Sequence, residues 1–359
     1  MYFGLSDEQK LLQATLREFA AKQLPPARLR RIFDEGSGFD AALWRAAAEV
    51  GVQGLALPQR FGGAGQELLD LALAFEVLGE TALPGPFLGH ALASLALLLG
   101  GSETQRERWL PRLAAGEAIG SVAFGEPGDA WTPETWALDT TGGALRGRKC
   151  CVEGAGAADL LVVGSAGGAL WLVLAGAKGL RVEPVDSLDR TRPLFDLGLD
   201  GTPAEELPGG REASHAVMDA ARVLLAADAF GAAWKLLRMT VDYALVREQF
   251  GMRIAQFQAV KHQLANLAAE TEPMRGLVWY AAHAWDHLPG ERAREAAVAK
   301  AHVTERALHV GRSAVELHGG IGFTWECDVQ FWVKRTMFDR AWLGSPRAHR
   351  ERVAQLADW

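Results

Sequence analysis

The sequence predicts an α+β protein in which one β-rich segment lies between two helical regions. Apolar residues recur with helical periodicity before about residue 118 and again after about residue 212. Between these regions, short apolar runs are divided by glycine, proline and aspartate, a pattern typical of strands and turns. We therefore expect an N-terminal helical domain over residues 1–117, a middle β domain, a small barrel or sandwich, over 118–211, and a C-terminal helical bundle over 212–359.

The first helix is predicted to begin at a capping box, because Ser6 is followed three residues later by Gln9. An acidic loop over residues 34–38 is expected to separate it from a second helix through Leu43 and Val50. Three further helices are predicted over residues 67–78, 90–99 and 103–115.

Four apolar runs predict strands, at residues 120–124, 160–163, 170–174 and 179–182. The later helices are expected to be split by Pro273 and by Pro289–Gly290. The last long helix should run from Arg292 to Leu317, with the following Gly319–Gly320 pair ending it.

The chain has 359 residues and a formal net charge of −7, which argues against a general nucleic-acid binder. Its first residues, Met1–Asp7, have no basic start and no apolar core, and the apolar run around 92–99 is too short to span a membrane. The three cysteines, Cys150, Cys151 and Cys327, have no metal-type spacing. We expect a soluble, reduced, cytoplasmic protein.

One stretch, from Arg247 to Gln258, joins two long amphipathic runs. Gly251 suits a sharp reversal of the chain, and a planar guanidinium beside amide side chains suits a phosphate or diphosphate. A helical hairpin with a solvated basic turn explains these residues equally well. The His283–His287 pair has no further potential ligand nearby and is interpreted as a surface pair rather than a metal site.

Several motifs follow one another along the chain: Leu5–Gln9, the Leu57-Pro58 to Gly65 loop, Gly125-Glu126-Pro127, Leu145–Lys149, Arg247–Gln258 and His318–Thr324. In their order and spacing they resemble the acyl-CoA dehydrogenase family, whose FAD-dependent members desaturate acyl-CoA thioesters. The resemblance runs nearly end to end. It implies an N-terminal helical domain, a middle β-barrel domain and a C-terminal four-helix bundle.

The resemblance implies FAD at a subunit interface, with Arg247 reaching the diphosphate of a neighbouring chain. Glycine backbone at Gly319 and Gly320 would let a dinucleotide approach closely, although the pair is also explained as a plain helix stop. The remaining implied flavin contacts are Val122, Phe124, Gly125, Glu126, Cys151, Glu153, Gln249, Phe250, Phe257, Gln258, Glu316 and Ser345.

The implied flavin positions of the β domain depart from the family pattern. Relatives usually have an aromatic residue where Cys151 stands and a small hydroxyl residue where Glu153 stands, and Gly125 replaces another hydroxyl residue. A carboxylate beside a ring that becomes anionic on reduction is unfavourable. We expect Glu153 to face solvent, or the packing of the flavin to be altered.

The resemblance implies that Asp219, Arg222 and Gly344 contact the substrate or shape its site. For Asp219 an N-cap role at the start of the first bundle helix is equally consistent with the sequence.

The resemblance also implies a catalytic glutamate at one of two positions, because removal of an α proton needs a carboxylate. One position precedes the Gly344-Ser345 pair and is Leu343. The other precedes Arg222 and is Ala221. Both usual positions of the base are therefore apolar.

Three hypotheses explain the missing base. The chain is one subunit of a hetero-oligomeric acyl-CoA dehydrogenase whose partner carries the glutamate, with large acyl groups such as sterol side chains as substrates. It uses a displaced base, for which Glu326 is the candidate. It resembles a flavin monooxygenase that needs no such base. A non-catalytic, cofactor-binding scaffold is the alternative from another class. An electron-transfer flavoprotein is the implied electron acceptor.

Overall fold

The computed structural model describes residues 4–357, so Met1–Phe3, where the N-terminal stretch considered above begins, and residues 358–359 lie outside it. The predicted capping box is present: the Ser6 N–H donates to Gln9 Oε1 at 3.1 Å, and the Gln9 N–H donates to Ser6 Oγ at 3.2 Å. The helices before the first strand are α1 (Asp7–Gln23), α2 (Pro26–Glu35), α3 (Ala41–Glu49), α4 (Leu68–Thr81), α5 (Phe87–Gly100) and α6 (Glu103–Ala114).

Helix α2 is a departure from the prediction, which placed an acidic loop at residues 34–38. Asp34 and Glu35 are the last residues of this helix, and Gly36 ends it with a φ of 70°. Leu29, Ile32 and Phe33 are buried along one face, so tertiary packing stabilises a helix that is only ten residues long.

The middle segment forms two open four-stranded sheets, and no closed barrel is present among residues 4–357. The barrel expected from the sequence is therefore wrong. One sheet has the order β1-β4-β5-β8 with β1 and β4 parallel, and the other has the antiparallel order β2-β3-β7-β6. The strands are β1 (Gly120–Ala123), β2 (Asp139–Thr141), β3 (Ala144–Glu153), β4 (Leu160–Gly164), β5 (Leu170–Leu174), β6 (Leu180–Val185), β7 (Leu194–Pro203) and β8 (Glu205–Leu207).

Apolar side chains from the two sheets meet in one core, which includes Val152, Val163, Trp171 and Leu197. The four predicted apolar runs correspond to β1, β4, β5 and β6. Helix α5 packs closely on β1, because a Cβ at Gly120 would lie 2.7 Å from the Cβ of Ala93.

The C-terminal region is helical, as predicted. It contains α7 (Gly210–Val246), a short hairpin of β9 (Glu248–Gln249) and β10 (Met252–Arg253), α8 (Gln258–His287), α9 (Arg292–His318), α10 (Val329–Ala341) and α11 (Pro346–Leu356). The predicted end of α8 before Pro289–Gly290 and the predicted span of α9 are confirmed.

The predicted break at Pro273 is wrong, because α8 continues through it. Proline removes one backbone donor from the helix, but the neighbouring Thr271 and Met274 are buried. The Thr271 hydroxyl also donates to the Leu267 carbonyl at 2.7 Å. Side-chain burial therefore outweighs the lost hydrogen bond.

The chain divides into two compact units, which we call the helical unit (Met1–Arg17, Ala72–Leu83 and Arg222–Trp359) and the mixed unit (Glu18–Leu71 and Pro84–Ala221). In the helical unit, the fully buried Arg335 binds Asp228 at 3.2 Å and donates to the Leu83 carbonyl at 3.2 Å. This contact joins α10, α7 and the segment after α4. No helix within residues 4–357 has the length and hydropathy needed to cross a membrane.

Candidate functional site

The connection between α7 and α8 is a β-hairpin rather than a simple helical turn. Gln249 pairs with Met252, and the two residues between them, Phe250 and Gly251, have φ values of 53° and 80°. Two consecutive positive φ values are typical of the tight turns that join paired strands. The predicted reversal at Gly251 is thus confirmed.

Phe250 has two properties that a stable loop normally avoids. Its side chain is 91% exposed, and its backbone is in the left-handed region, which costs a non-glycine residue about 1–2 kcal/mol. Its ring contacts that of Phe257 edge-on, with centroids 6.2 Å apart. An exposed aromatic ring on a strained turn indicates a contact surface.

The backbone of Arg247 is held on both sides of the residue. Its N–H donates to the Tyr243 carbonyl at 2.8 Å, and its carbonyl accepts from the Ile254 N–H at 2.8 Å. The Arg247 side chain is exposed. A fixed backbone with an exposed guanidinium is suited to bidentate binding of a phosphate group.

A ring stack joins α7, one turn before Arg247, to the last residue of α9. Tyr243 stacks on His318 with centroids 4.4 Å apart, and Gly319 comes next with a φ of 64°. Apart from the glycines and their chain neighbours, no described atom lies within 4 Å of where a Cβ on Gly319 or Gly320 would be. The turn thus presents open backbone, and together with the Arg247 guanidinium it fits the phosphates of a dinucleotide.

The Gly319 N–H also closes α9 by donating to the Glu316 carbonyl, so the helix-stop interpretation holds as well. Large apolar side chains are exposed around both turns. They are Val246 (73%), Phe250, Ile321 (48%), Phe323 (80%) and Trp325 (47%).

The carboxylate of Glu126, in the mixed unit, forms hydrogen bonds and an ion pair with residues of the same unit. Its carboxylate accepts from the backbone N–H groups of Ala137 at 2.8 Å and Leu138 at 3.2 Å, and binds the Lys149 ammonium at 2.5 Å. Burial lowers the pKa of Lys149 to about 8, and the Glu126 carboxylate opposes that shift. Lys149 lies in one of the motifs named from the sequence, but its ion pair with Glu126 was not predicted. Nearby, the buried Phe124 stacks on Trp136 at 5.2 Å.

Glu153 does not face solvent, so that expectation is wrong. Its side chain is fully buried, and Oε2 accepts from the Gly89 N–H at 2.8 Å. Gly89 lies in the first turn of α5, where unsatisfied N–H groups favour a negative charge. The carboxylate therefore satisfies a backbone N–H in the first turn of α5.

Cys151 lies in a bulge of β3. The pairing with β7 shifts between Lys149 and Val152, and Cys151 has a φ of 55°. Its N–H donates to Asp196 Oδ1 at 3.1 Å. Burial raises the pKa of its thiol, which keeps the sulfur protonated.

The two residues that the resemblance places at the usual base positions are buried. Leu343 is 2% exposed and Ala221 is 0% exposed. Leu343 and Gly344 have φ values of 64° and 94°. The Ser345 hydroxyl accepts from the Ala348 N–H at 3.3 Å as the N-cap of α11. The proposed substitute, Glu326, lies in an exposed turn before α10.

The N-cap interpretation of Asp219 is wrong, because this buried residue lies well inside α7. That helix begins at Gly210, which has a φ of 56° and so suits the strained entry to the helix. The helix starts before its apolar period becomes visible in the sequence.

Comparisons with known proteins agree with this fold. Residues 6–117 match the acyl-CoA dehydrogenase N-terminal domain, and residues 209–357 match the acyl-CoA dehydrogenase C-terminal domain. The acyl-CoA dehydrogenase IpdE2 of Mycobacterium tuberculosis is 33% identical over 343 residues, covering 95% of this chain and 94% of the relative. The acryloyl-CoA reductase (NADH) of Anaerotignum propionicum is 28% identical, covering 99% and 95%.

A solved structure described as the steroid ACAD Tcur3481-Tcur3483 superposes with a TM-score of 0.90 at 33% identity, covering 98% of this chain and 97% of that one. The butyryl-CoA dehydrogenase of Megasphaera elsdenii has the same fold, with a TM-score of 0.89 at 23% identity, covering 99% of both chains. The chain therefore belongs to the acyl-CoA dehydrogenase family of FAD-dependent oxidoreductases that act on CH–CH groups.

Proposed function

We propose that this chain is the base-lacking subunit of a hetero-oligomeric acyl-CoA dehydrogenase. It helps to bind FAD and acyl-CoA, and a second acyl-CoA dehydrogenase-like chain supplies the catalytic glutamate. The proposal rests on the resemblance, which places Leu343 and Ala221 at the two usual base positions, and it is supported by the burial of both aliphatic side chains. An aliphatic side chain cannot accept the α proton of a thioester.

Three ionisable residues of the chain, His349, Glu326 and Glu153, are poor replacements for the base. His349 adjoins Leu343, but it is 4% exposed, and burial lowers its pKa far below its usual value. A group with such a low pKa accepts a proton weakly at neutral pH. Glu326 lies in an exposed turn, and Glu153 is bound to the start of α5.

The residues that would hold FAD in the helical unit are Arg247 at the diphosphate and the backbone of Gly319 and Gly320. When bound, FAD supplies the hydride acceptor for α,β-desaturation. Further contacts are proposed for Gln249, Phe250, Phe257, Gln258, Glu316 and Ser345. In the mixed unit, the segment from Val122 to Gly125 and the Cys151 bulge would contribute backbone, with Glu126 and Glu153 holding these elements in place. For acyl-CoA we propose Asp219, Arg222 and Gly344.

The exposed apolar side chains around the hairpin and the glycine turn support a partner chain at this end of the helical unit. The steroid ACAD named above carries two protein names, which favours a second, different chain as that partner. By the same likeness we propose a bulky, ring-containing acyl-CoA as substrate, with an electron-transfer flavoprotein reoxidising the enzyme.

A visible spectrum of the full chain purified alone, followed by anaerobic addition of octanoyl-CoA and a steroid acyl-CoA, tests the proposal. We expect any bound flavin to keep its colour, because no base is in reach. Leu343→Glu should introduce bleaching, and the isosteric Leu343→Gln serves as its control. Bleaching of the wild-type chain alone would overturn the proposal.

A colourless wild-type chain calls for co-expression with a family member that keeps the glutamate. Flavin that bleaches in this complex supports the two-subunit enzyme. A complex that forms without binding flavin or without bleaching would identify the chain as a scaffold instead.

A further inference from the structure

Two adjacent thiols, Cys150 and Cys151, lie near the end of β3, and the proposed function draws only on the backbone of this segment. Both side chains are half-buried, and neither is in a disulfide. In a regular strand, consecutive side chains point to opposite faces of the sheet, so two adjacent cysteines would not share a ligand. The bulge in β3 removes this restriction.

The pairing of β3 with β7 shows how the bulge is built. Before the cysteines, Lys149 pairs with Leu197, and after them Val152 pairs with Phe195. Two residues of β3 therefore lie opposite one residue of β7, Asp196. Both cysteines share this single neighbour on the adjacent strand.

The neighbours of the cysteines determine the face on which the thiols lie. Directly paired residues point to the same face of a sheet, and Leu197 and Val152 both belong to the core between the two sheets. Lys149, the partner of Leu197, therefore also points to the core, and it is fully buried. Alternation turns the residue after Lys149, Cys150, to the outer face. It turns the residue before Val152, Cys151, to the same outer face.

The backbone of the bulge is fixed at both cysteines. The Cys150 N–H donates to the Gly125 carbonyl at 2.8 Å, in the loop after β1. The Cys151 N–H donates to Asp196 Oδ1 at 3.1 Å, and Asp196 Oδ2 binds the Arg148 guanidinium at 2.6 Å. The two thiols are therefore held on one face before any ligand arrives.

A direct disulfide between neighbouring residues is unfavourable. Adjacent Cα atoms across a trans peptide lie about 3.8 Å apart, whereas disulfides usually span Cα separations of about 4.4–6.8 Å. A single atom bonded to both sulfurs joins the pair without drawing the sulfurs into contact. The ligand that fits is therefore one atom with an affinity for sulfur.

The number of donors decides which kind of atom fits. Protein-bound zinc takes four ligands, and among residues 4–357 no three histidine, cysteine, aspartate or glutamate side chains are grouped so as to hold a metal ion. A trivalent arsenical needs only two sulfur atoms, because its third substituent is an organic group. Two thiols on one face meet that requirement.

We propose that Cys150 and Cys151 form a dithiol site that binds a trivalent arsenical, R–As(OH)2, through both sulfur atoms. Two As–S bonds form and two As–O bonds break. Each thiol proton leaves with one hydroxide as water, so neither arsenic nor sulfur changes its oxidation state. Cys327, which has no cysteine beside it in the sequence, can offer only one As–S bond.

An arsenical bound at this site would compete with FAD, because the resemblance places Cys151 at a flavin contact. This consequence rests on the proposed function, whereas the dithiol site rests on the bulge alone. Arsenic and flavin should therefore exclude each other in solution.

Mass spectrometry of the full chain, freed of flavin and treated with phenylarsonous acid in excess glutathione, tests the proposal. We expect one phenylarsenic group per chain, on the peptide that contains Cys150 and Cys151, and a fall in titratable thiols from three to one. Cys150→Ser and Cys151→Ser should each weaken retention by about a hundredfold or more, because the second As–S bond forms within the molecule. Cys327→Ser is the matched control and should retain arsenic as the wild type does.

The effect of urea separates the folded site from the bare sequence. Unfolding removes the bulge, so arsenic retention against glutathione should fall. Iodoacetamide should instead react faster in urea, because burial, followed by the Asp196 carboxylate, raises the pKa of both thiols in the folded chain. Opposite responses of the two reagents exclude a simple effect of accessibility, which would act on both alike.

Arsenic located on Cys327, or equal retention in the wild type and either single variant of the pair, would overturn the dithiol site. Equal retention in the folded and unfolded chains would overturn it as well, since the bulge would then contribute nothing. If a variant does not fold, the peptide map of the wild type decides the matter.

The flavin arm fails or succeeds separately. FAD, bound to the chain or to its complex, should protect Cys150 and Cys151 from the arsenical. Labelling at an unchanged rate would overturn the competition with flavin and leave the dithiol site standing. Conversely, bleaching by the wild-type chain alone would overturn the two-subunit proposal and leave the dithiol site intact.

Discussion

The hairpin after α7 and the end of β3 both occupy flavin positions by resemblance, but their side chains do different things. At the hairpin, Arg247 and Phe250 are exposed, and a strained turn holds them in place. At the end of β3, Glu153 is buried in a hydrogen bond to the start of α5. A motif position therefore indicates where a residue lies in the fold, and exposure indicates whether its side chain is available to a ligand.

The difference has a physical origin. A carboxylate buried without partners would cost several kcal/mol, so Glu153 persists where α5 offers an N–H donor and a favourable dipole. An exposed guanidinium carries no such cost, and Arg247 can await a ligand. Each of the following changes tests one side of this contrast.

Glu153→Leu should have the largest effect. It leaves the Gly89 N–H buried without its acceptor, and we expect the free energy of unfolding to fall by about 3 kcal/mol. Chemical denaturation measures this loss. Glu153→Gln keeps an acceptor and should cost less than about 1 kcal/mol, while Glu183→Leu on the exposed strand β6 should be nearly neutral. If Glu153→Leu were as stable as the wild type, the internal role of this carboxylate would be wrong.

Arg247→Ala should leave stability unchanged and weaken flavin retention by about thirtyfold, or about 2 kcal/mol, because charge-assisted bonds to the diphosphate are lost. The ratio of visible to ultraviolet absorbance, in the chain or in its complex, measures retention. Arg238→Ala, an exposed arginine on α7, the helix that precedes Arg247, is the matched control. Equal flavin loss in both variants would mean that net charge, and not this side chain, holds the cofactor.

Helices and strands were predicted correctly where the apolar pattern was strong. The predictions were wrong where tertiary packing determined the bounds of an element. The span of β5 follows from a short apolar run, and that of α9 follows from its helical periodicity. Helix α8 crosses Pro273 because buried neighbours stabilise it, and no local pattern reveals those neighbours. The early start of α7 at Gly210 has the same kind of cause, since the first turns carry little apolar period.

The candidate site was predictable in its positions and not in its side-chain orientations. The glycine at position 251 predicted the turn, because glycine is favoured where φ is positive. The direction of Glu153 depends on Gly89, which is 64 residues away along the chain. Long-range contacts of this kind leave no signature in spacing.

The helical unit also contains a buried carboxylate, Glu76. Its burial makes the stability of the chain depend on pH. It accepts from Gln13 Nε2 at 2.9 Å and Trp279 Nε1 at 2.7 Å, and burial raises its pKa from 4.5 to about 7. Above about pH 4.5 the folded state holds a proton on Glu76 that the unfolded state releases. The contribution of Glu76 to the free energy of unfolding is therefore fully present below about pH 4.5 and declines as the pH rises to 7.

Glu76→Gln should remove this decline, which we expect to amount to about 1–2 kcal/mol between pH 5 and 7. Denaturation midpoints at several pH values measure it. Asp242→Asn, an exposed carboxylate on α7, should retain the wild-type slope. Equal slopes for wild type and Glu76→Gln would show that Glu76 is ionised in the fold throughout.

Phe250→Asn should have the smallest effect and the opposite sign. Asparagine tolerates positive φ, and an Asn-Gly pair is favoured in this kind of hairpin turn, so the free energy of unfolding should rise by about 0.5–1 kcal/mol. Denaturation midpoints measure the gain. Phe323→Asn removes another exposed ring where no positive φ is relieved and should not stabilise the chain. If both variants lose partner binding and Phe250→Asn alone gains stability, the strain at Phe250 is retained for contact. A loss of stability in Phe250→Asn would instead show that the Phe250 ring stabilises the hairpin. The hairpin would then resemble the end of β3, where the side chain of Glu153 has a structural role.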